Sequence, residues 1–285
     1  MKHIFLNLKR FDIPRAWGGV NDLADLSRWG SGIVSATQEG LKSYDPAEVE
    51  FVQFYPEAHL LGAVQALCPD SPIQVGCQGV HRADTAVGGN IGAFTTLRTA
   101  NAARALGCTA ALIGHCEERA DKRGILVEAG ASDSGAVGRL LNREILCAQA
   151  AGLRVLYCVG ENAGEQERWQ AVLGEQLDTG LAGVDRDKTV IAYEPVWSIG
   201  PGRTPADKAY ITKIARFIKE RTGGMDVVYG GGLKTENARM LASIPEIDGG
   251  LIALTAFSGQ VGFYPDQYLE IIRTYWDGIK ESNQL

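Results

Sequence analysis

Eight short apolar runs, rich in branched residues, punctuate the chain: HIFLNL (3–8), EFVQFY (50–55), PIQVG (72–76), TAALIG (109–114), LRVLYC (153–158), TVIAY (189–193), DVVYG (226–230) and GLIAL (250–254). Their hydrophobicity is continuous rather than alternating, as in parallel strands that helices cover on both faces. The segments between them carry helical spacing. In GRLLNREILCAQAAG (138–152) apolar positions recur at three and four, and DKAYITKIARFIKERTG (207–223) ends in Lys, Arg and Gly as helices do. Eight such units are the number that closes a barrel, so the expected architecture is α/β, a single (β/α)8 barrel domain over residues 1–285. A doubly wound open sheet would place a G-x-G-x-x-G turn after the first strand, where NLKRFD stands instead. Residues 20–48 are long for one helix and divide into two if GSG marks a break.

No Ser/Pro-rich linker or charge run splits the 285 residues, in keeping with one domain. With 28 basic against 34 acidic residues, the net charge of −6 offers no footprint for nucleic acid or an anionic membrane, which points to a small-molecule partner. MKHIFLNLKR holds too short an apolar run for a signal peptide, and no stretch approaches the roughly 18 apolar residues of a membrane span, so a soluble, cytoplasmic protein is expected. Six cysteines are scattered without a C-x-x-C pair and are expected to be reduced.

A barrel of this kind presents its functional side chains at the C-terminal ends of different strands. Here Asn7 and Lys9 follow the first run, Gly114 and His115 the fourth, Glu194 the sixth, and Gly230, Gly231 and Gly232 the seventh. Taken singly, each has a bland reading: a lysine beyond a strand is usually a solvated cation, and a lone histidine is usually structural. HCEER contains the H-x-E of zinc deaminases but lacks a P-C-x-x-C partner, so no metal is expected. GGGLKT resembles a phosphate-binding loop, but Leu233 stands where the glycine before the lysine belongs, which argues against a nucleoside triphosphate.

Together, FLNLK, GAFT (92–95), IGHCEER, CVGE (158–161), AYEPVWSIGPG and YGGG occur in the order and approximate spacing of the triosephosphate isomerases, and the chain resembles that family from the first strand to the last. The resemblance implies a cofactor-free isomerase of glycolysis and gluconeogenesis, interconverting a phosphorylated aldose and ketose through an enediolate. It makes Glu194 the base, His115 the group that polarises the carbonyl, Lys9 a fixed cation and Asn7 a further donor. Glu117 would pair with Lys9, or else accept backbone bonds at the start of the next helix. The resemblance also makes PVW the hinge of a lid whose glycines, Gly200 and Gly202, bring backbone N–H groups to the substrate phosphate.

The chain departs from that pattern on the phosphate side. Gly232 replaces a customary Ser, and Ala253 with Leu254 replaces the glycine pair of the phosphate cup. Pro201 and Arg203 alter the lid. Leu97 and Glu118 stand where a Glu and a basic residue are customary, so both ends of a charge pair have changed together. These changes leave two alternatives to the triose reading: an isomerase of a four-carbon tetrulose phosphate, which the lid sequence also resembles, or a non-catalytic barrel that binds a phosphometabolite. GNIGAFTTLRT (89–99) resembles the loop that reaches into a neighbouring subunit in this family, so a homodimer is expected.

Overall fold

The computed structural model describes residues 1–23, 25–131, 133, 135–200 and 203–282; Pro201 and Gly202 of the lid reading lie outside the described residues. Eight strands form the barrel: β1 (Lys2–Asn7), β2 (Val49–Tyr55), β3 (Ile73–Cys77), β4 (Ala110–Ile113), β5 (Arg154–Val159), β6 (Thr189–Tyr193), β7 (Val227–Tyr229) and β8 (Gly249–Ile252). Each lies within two residues of one of the apolar runs. They pair in chain order, all parallel, and β8 returns to β1 to close the sheet. Continuous hydrophobicity follows from two cores. Phe5, Phe54, Leu112, Leu156, Val190 and Leu251 fill the barrel, while Ile4, Phe51, Ile113 and Ile191 on the other face meet the surrounding helices. At the N-terminal end, His3 Nδ1 lies 2.6 Å from Glu50 and Nε2 lies 2.8 Å from Asp226, a polar cluster that ties β1, β2 and the start of β7 together.

The helices that matter for the site are α1 (Leu26–Leu41), α2 (Glu57–Gln65), α3 (Ala100–Ala105), α4 (Cys116–Glu128), α5 (Ala136–Ala150), α6 (Trp169–Gly180), α7 (Lys208–Thr222), α8 (Thr235–Ala242) and α9 (Pro265–Ser282). The expected segment at 207–223 is α7. Asp207 caps it by accepting a bond from the Tyr210 N–H at 2.7 Å, and Gly223 ends it in the left-handed region at φ 74°.

The division of residues 20–48 into two helices is corrected: one helix, α1, runs through GSG without a break. Gly30 is there for packing. A Cβ on it would stand 2.7 Å from that of His59, so its hydrogen lets α1 and α2 approach closely. The described residues between β1 and Leu26 belong instead to a long loop that contains a short 3-10 turn, Arg15–Trp17. Among the described residues no helix is long and apolar enough to cross a membrane.

Candidate active site

Asn7 ends β1, and Lys9 follows with φ 42°, a conformation that costs a non-glycine residue of order 1 kcal/mol or more. The neighbourhood holds it there. The Lys9 N–H donates to Asn7 Oδ1 at 3.1 Å, and Gln78, just beyond β3, donates to Asn7 Oδ1 and to the Lys9 carbonyl at 3.2 and 3.1 Å. Lys9 Nζ then reaches Glu117 Oε1 at 2.7 Å. Burial alone would raise the Glu117 carboxyl, but the bond and charge of Lys9 outweigh it and leave its pKa below the ordinary value. The expected Lys9–Glu117 pairing is thus present.

His115 is the N-cap of α4, and its Nδ1 accepts the Glu117 N–H at 3.2 Å. A nitrogen that accepts cannot also carry a proton, which leaves the ring hydrogen on Nε2. Glu194 follows β6 and is 1 % exposed. Its Oε2 accepts the Cys116 N–H at 2.9 Å, and Oε1 lies 3.2 Å from His115 Nε2 without the alignment of a hydrogen bond. Removal from water drives the Glu194 pKa up, and the counteracting influences of His115, the Cys116 N–H and Lys9 do not cancel this. A carboxylate so placed is a stronger base than one in water. Close approach of the chain is required here: a Cβ on Gly230 would fall 2.8 Å from Glu194 Cγ.

Sequence reasoning quoted Glu161 within CVGE but gave it no role. It is fully buried after β5, and its Oε1 accepts from Tyr193 Oη at 3.0 Å, Trp197 Nε1 at 2.8 Å and Tyr210 Oη at 3.0 Å. The start of the expected lid, a 3-10 turn over Val196–Ser198, is thereby tied to the barrel. Gln78, Cys116 and Glu161 were missed because their parts depend on contacts between segments far apart in the chain.

Glu118, whose usual partner is Leu97 here, is engaged elsewhere. It accepts the Gly114 N–H at 2.6 Å and pairs with Lys122 at 2.8 Å, and Lys122 also meets buried Glu144 on α5 at 3.0 Å. Among the described residues Glu144 Oε2 is buried with no donor, and burial followed by the neighbouring Glu118 charge pushes the Glu144 carboxyl up to about 8. Its proton is therefore held well above the ordinary carboxylate range, beside the Glu118 carboxylate.

The residues expected to face a phosphate, Gly200, Gly232, Ala253 and Leu254, lie in the loops after β6, β7 and β8. Gly200 is exposed at φ 112° and Gly232 adopts φ 97°, where the customary Ser would be strained. Ala253 and Leu254 follow β8 directly and are half-buried. A cavity of about 460 Å³ is lined by Asn7, Lys9, His115 and Glu117 together with Phe11, Ile13 and Gly19 of the long first loop.

Among the described residues, His115, Cys116 and Glu194 form a grouping with metal-ligand atoms within 4.8 Å of one another. Burial pushes the Cys116 thiol up to about 12, and the imidazole Nδ1 and the carboxylate Oε2 already accept backbone hydrogens, so the set is poorly prepared for a cation.

A closed parallel barrel with a buried carboxylate, an imidazole and a lysine at the C-terminal ends of different strands defines a (β/α)8 enzyme of the proton-transfer class. The family described as triosephosphate isomerase matches residues 31–274. Curated triosephosphate isomerases from Pelodictyon phaeoclathratiforme (strain DSM 5477 / BU-1) and Halorhodospira halophila (strain DSM 244 / SL1) are 32 % and 33 % identical, covering 86 % and 81 % of this chain and 92 % and 87 % of their own lengths. A crystal structure of triosephosphate isomerase from Bartonella henselae is similar with a TM-score of 0.71 at 25 % identity, over 96 % of this chain and 99 % of that one. The chain belongs to the triosephosphate isomerase family and is an isomerase of that type.

Proposed function

We propose that the protein interconverts dihydroxyacetone phosphate and glyceraldehyde 3-phosphate, with the residues named above in the following parts. Glu194 removes a proton from the carbon beside the carbonyl and returns one to the adjacent carbon, while the hydroxyl proton of the first carbon passes to the former carbonyl oxygen, so the reaction is neutral in protons overall. His115 donates its Nε2 hydrogen toward the carbonyl oxygen as charge develops there. Lys9, steadied by Glu117, and Asn7 add a fixed cation and a further donor. Gly200, Gly232 and the loop of Ala253 and Leu254 surround the phosphate.

The observation that carries this reading is Glu194: a buried carboxylate with a raised pKa, 3.2 Å from the Nε2 of the His115 imidazole. In the present arrangement Glu194 rests against the Cys116 N–H, so it must swing to a substrate when the lid closes. The curated relatives carry the triose name, which favours a three-carbon substrate over the tetrulose alternative. The test is proton exchange from dihydroxyacetone phosphate in D2O followed by NMR. Glyceraldehyde 3-phosphate bearing deuterium at C2, with deuterium at C1 of the recovered dihydroxyacetone phosphate, supports the assignment; neither product from any triose or tetrulose phosphate overturns it.

The same reading includes a cytoplasmic homodimer. Val87 and Ile91 on the loop between β3 and α3 are fully exposed, and Ile91 and Thr96 adopt positive φ, features that fit a segment covered by a second copy. The cavity beside Lys9 and Glu117 is where such a loop would enter. Light scattering is expected to give twice the chain mass; a fully active monomer would exclude this assembly.

A further inference from the structure

The lysine of GGGLKT found no use once a nucleotide site was set aside, yet the fold brings it to the phosphate side of the site. Lys234 is the N-cap of α8, two residues beyond Gly232. Its Cε lies 3.4 Å from where a Cβ of Gly232 would be, so the missing side chain at 232 leaves the space along which the lysine stem runs. Its Nζ stands 3.7 Å above the ring of Phe257, in the loop that Ala253 and Leu254 begin. The side chain thus bridges the loops after β7 and β8, where the family's backbone cup would hold an anion.

Lys234 is also an unneutralised cation. Lys9, Lys42, Lys122, Lys188 and Lys219 each meet a carboxylate; among the described residues Lys234 Nζ, like that of Lys2, Lys208, Lys213 and Lys280, has no ion-pair partner, but Lys234 is half-buried where Lys208, Lys213 and Lys280 are exposed. Burial lowers its pKa, with Glu236 only partly offsetting this from a distance. A partly desolvated ammonium without a counter-ion is unfavourable, and stacking on one aromatic face recovers only part of the cost. An incoming phosphate would supply the missing anion.

We propose that Lys234, steered by Phe257, is the principal phosphate anchor of this enzyme, taking over from the glycine pair that Ala253 and Leu254 replace. The inference rests on the isomerase reading above, and the family's backbone cup is absent from it. A dianionic phosphate monoester at the end of a short sugar is the ligand this ammonium fits, and the ammonium donates hydrogen bonds to its oxygens as a point charge.

The test uses 2-phosphoglycolate as the probe, measured by calorimetry at constant ionic strength, together with steady-state kinetics on glyceraldehyde 3-phosphate and on unphosphorylated glyceraldehyde. Lys234→Met is expected to weaken phosphoglycolate binding roughly tenfold to a hundredfold, the range of one hydrogen bond to a charged group. It should raise KM for the phosphorylated substrate in step and leave turnover of glyceraldehyde unchanged. Lys234→Arg should restore most of the affinity. Phosphoglycolate affinity within about twofold of wild type in Lys234→Met, or an equal loss with glyceraldehyde, overturns the assignment of Lys234 while wild-type turnover leaves the isomerase reading standing. A wild-type protein that neither binds phosphoglycolate nor turns over sinks both.

Discussion

At the ends of β1, β4 and β6, each side chain proposed to move or stabilise a proton is fixed by named partners. Gln78 holds Asn7, Glu117 holds Lys9, a backbone N–H holds His115 and another holds Glu194. At the ends of β7 and β8 the groups proposed to face the phosphate are backbone at Gly232 and a lysine with no counter-ion among the described residues, and the customary residues at 232, 253 and 254 are gone. The contrast reflects what each half has to do. Proton transfer fails when a base is displaced by a fraction of an ångström, whereas an anion can be held by any suitably placed donor. A family can therefore rebuild the second half and keep the first.

The largest effect should come from the half that is fixed. Glu194→Gln removes the proposed base while keeping size and shape, and kcat is expected to fall by roughly 10²–10⁴-fold. Phosphoglycolate affinity should stay mostly intact, because the loss belongs to the transition state. Residual activity within tenfold of wild type would end the assignment. The same substitution has a thermodynamic consequence. The folded-state pKa of Glu194 is raised above the ordinary 4.5, so the stability associated with its protonated form is present in acid and lost as pH rises through the raised value. Glu194→Gln should consequently be more stable than wild type at neutral pH, with the difference vanishing in acid. Denaturation at several pH values measures this, and a variant less stable than wild type at neutral pH would contradict it.

The next effect is the acid limb of activity. Because burial disfavours the Glu194 carboxylate, kcat/KM should begin to fall at a pH above the ordinary carboxylate value and lose about tenfold per unit below its midpoint. A pH–rate profile that stays flat down to pH 4.5 would show that the base titrates as if exposed.

Behind His115, the Glu118–Glu144 pair sharpens the comparison more gently. The Glu144 carboxyl is raised to about 8, so its contribution to stability is full below 4.5 and declines between 4.5 and about 8 as the unfolded chain ionises and the folded one does not. Glu118 is shifted the other way, downward despite burial, through its bonds to Glu144 and Lys122. Its own contribution therefore changes only below 4.5. Glu144→Gln should flatten the stability slope between 4.5 and about 8. An unchanged slope in urea titrations across that range would show that Glu144 ionises normally.

The fold was legible because burial on both faces leaves eight continuous apolar runs, and no other ordering of them closes so simply. The break expected at GSG was not there, since Gly30 serves the contact with His59 rather than a turn, and nothing in the local sequence distinguishes those uses. In the site, Asn7, Lys9, His115 and Glu194 each follow an apolar run, but their roles, and that of Glu117, were legible only through the joint resemblance of FLNLK, IGHCEER and AYEPVW to the family pattern. For Glu161 no role was legible. Its three donors come from β6, the lid turn and α7, and such convergence exists only in three dimensions. Lys234 escaped for the same reason, its aromatic neighbour lying 23 residues downstream after another strand.

The smallest effect is also the one that most directly probes the rebuilt half. Restoring the glycine pair with Ala253→Gly/Leu254→Gly removes two Cβ atoms and a branched side chain, which would let successive backbone N–H groups approach an anion. If the glycines were the missing anchor, phosphoglycolate affinity should rise sharply in the otherwise unchanged protein. If Lys234 already holds the phosphate, the gain should be small, under roughly threefold, because an anion engaged by one strong donor gains little from weaker ones and two new glycines add loop entropy that binding must remove. In the Lys234→Met background the outcome should differ: the same pair should recover a measurable part of the lost affinity. The two substitutions would then be non-additive, as groups sharing one ligand are. Strict additivity in this double-mutant cycle would mean that the lysine and the β8 loop do not meet the same phosphate, and the division between a fixed half and a rebuilt half would have to be redrawn at Gly232.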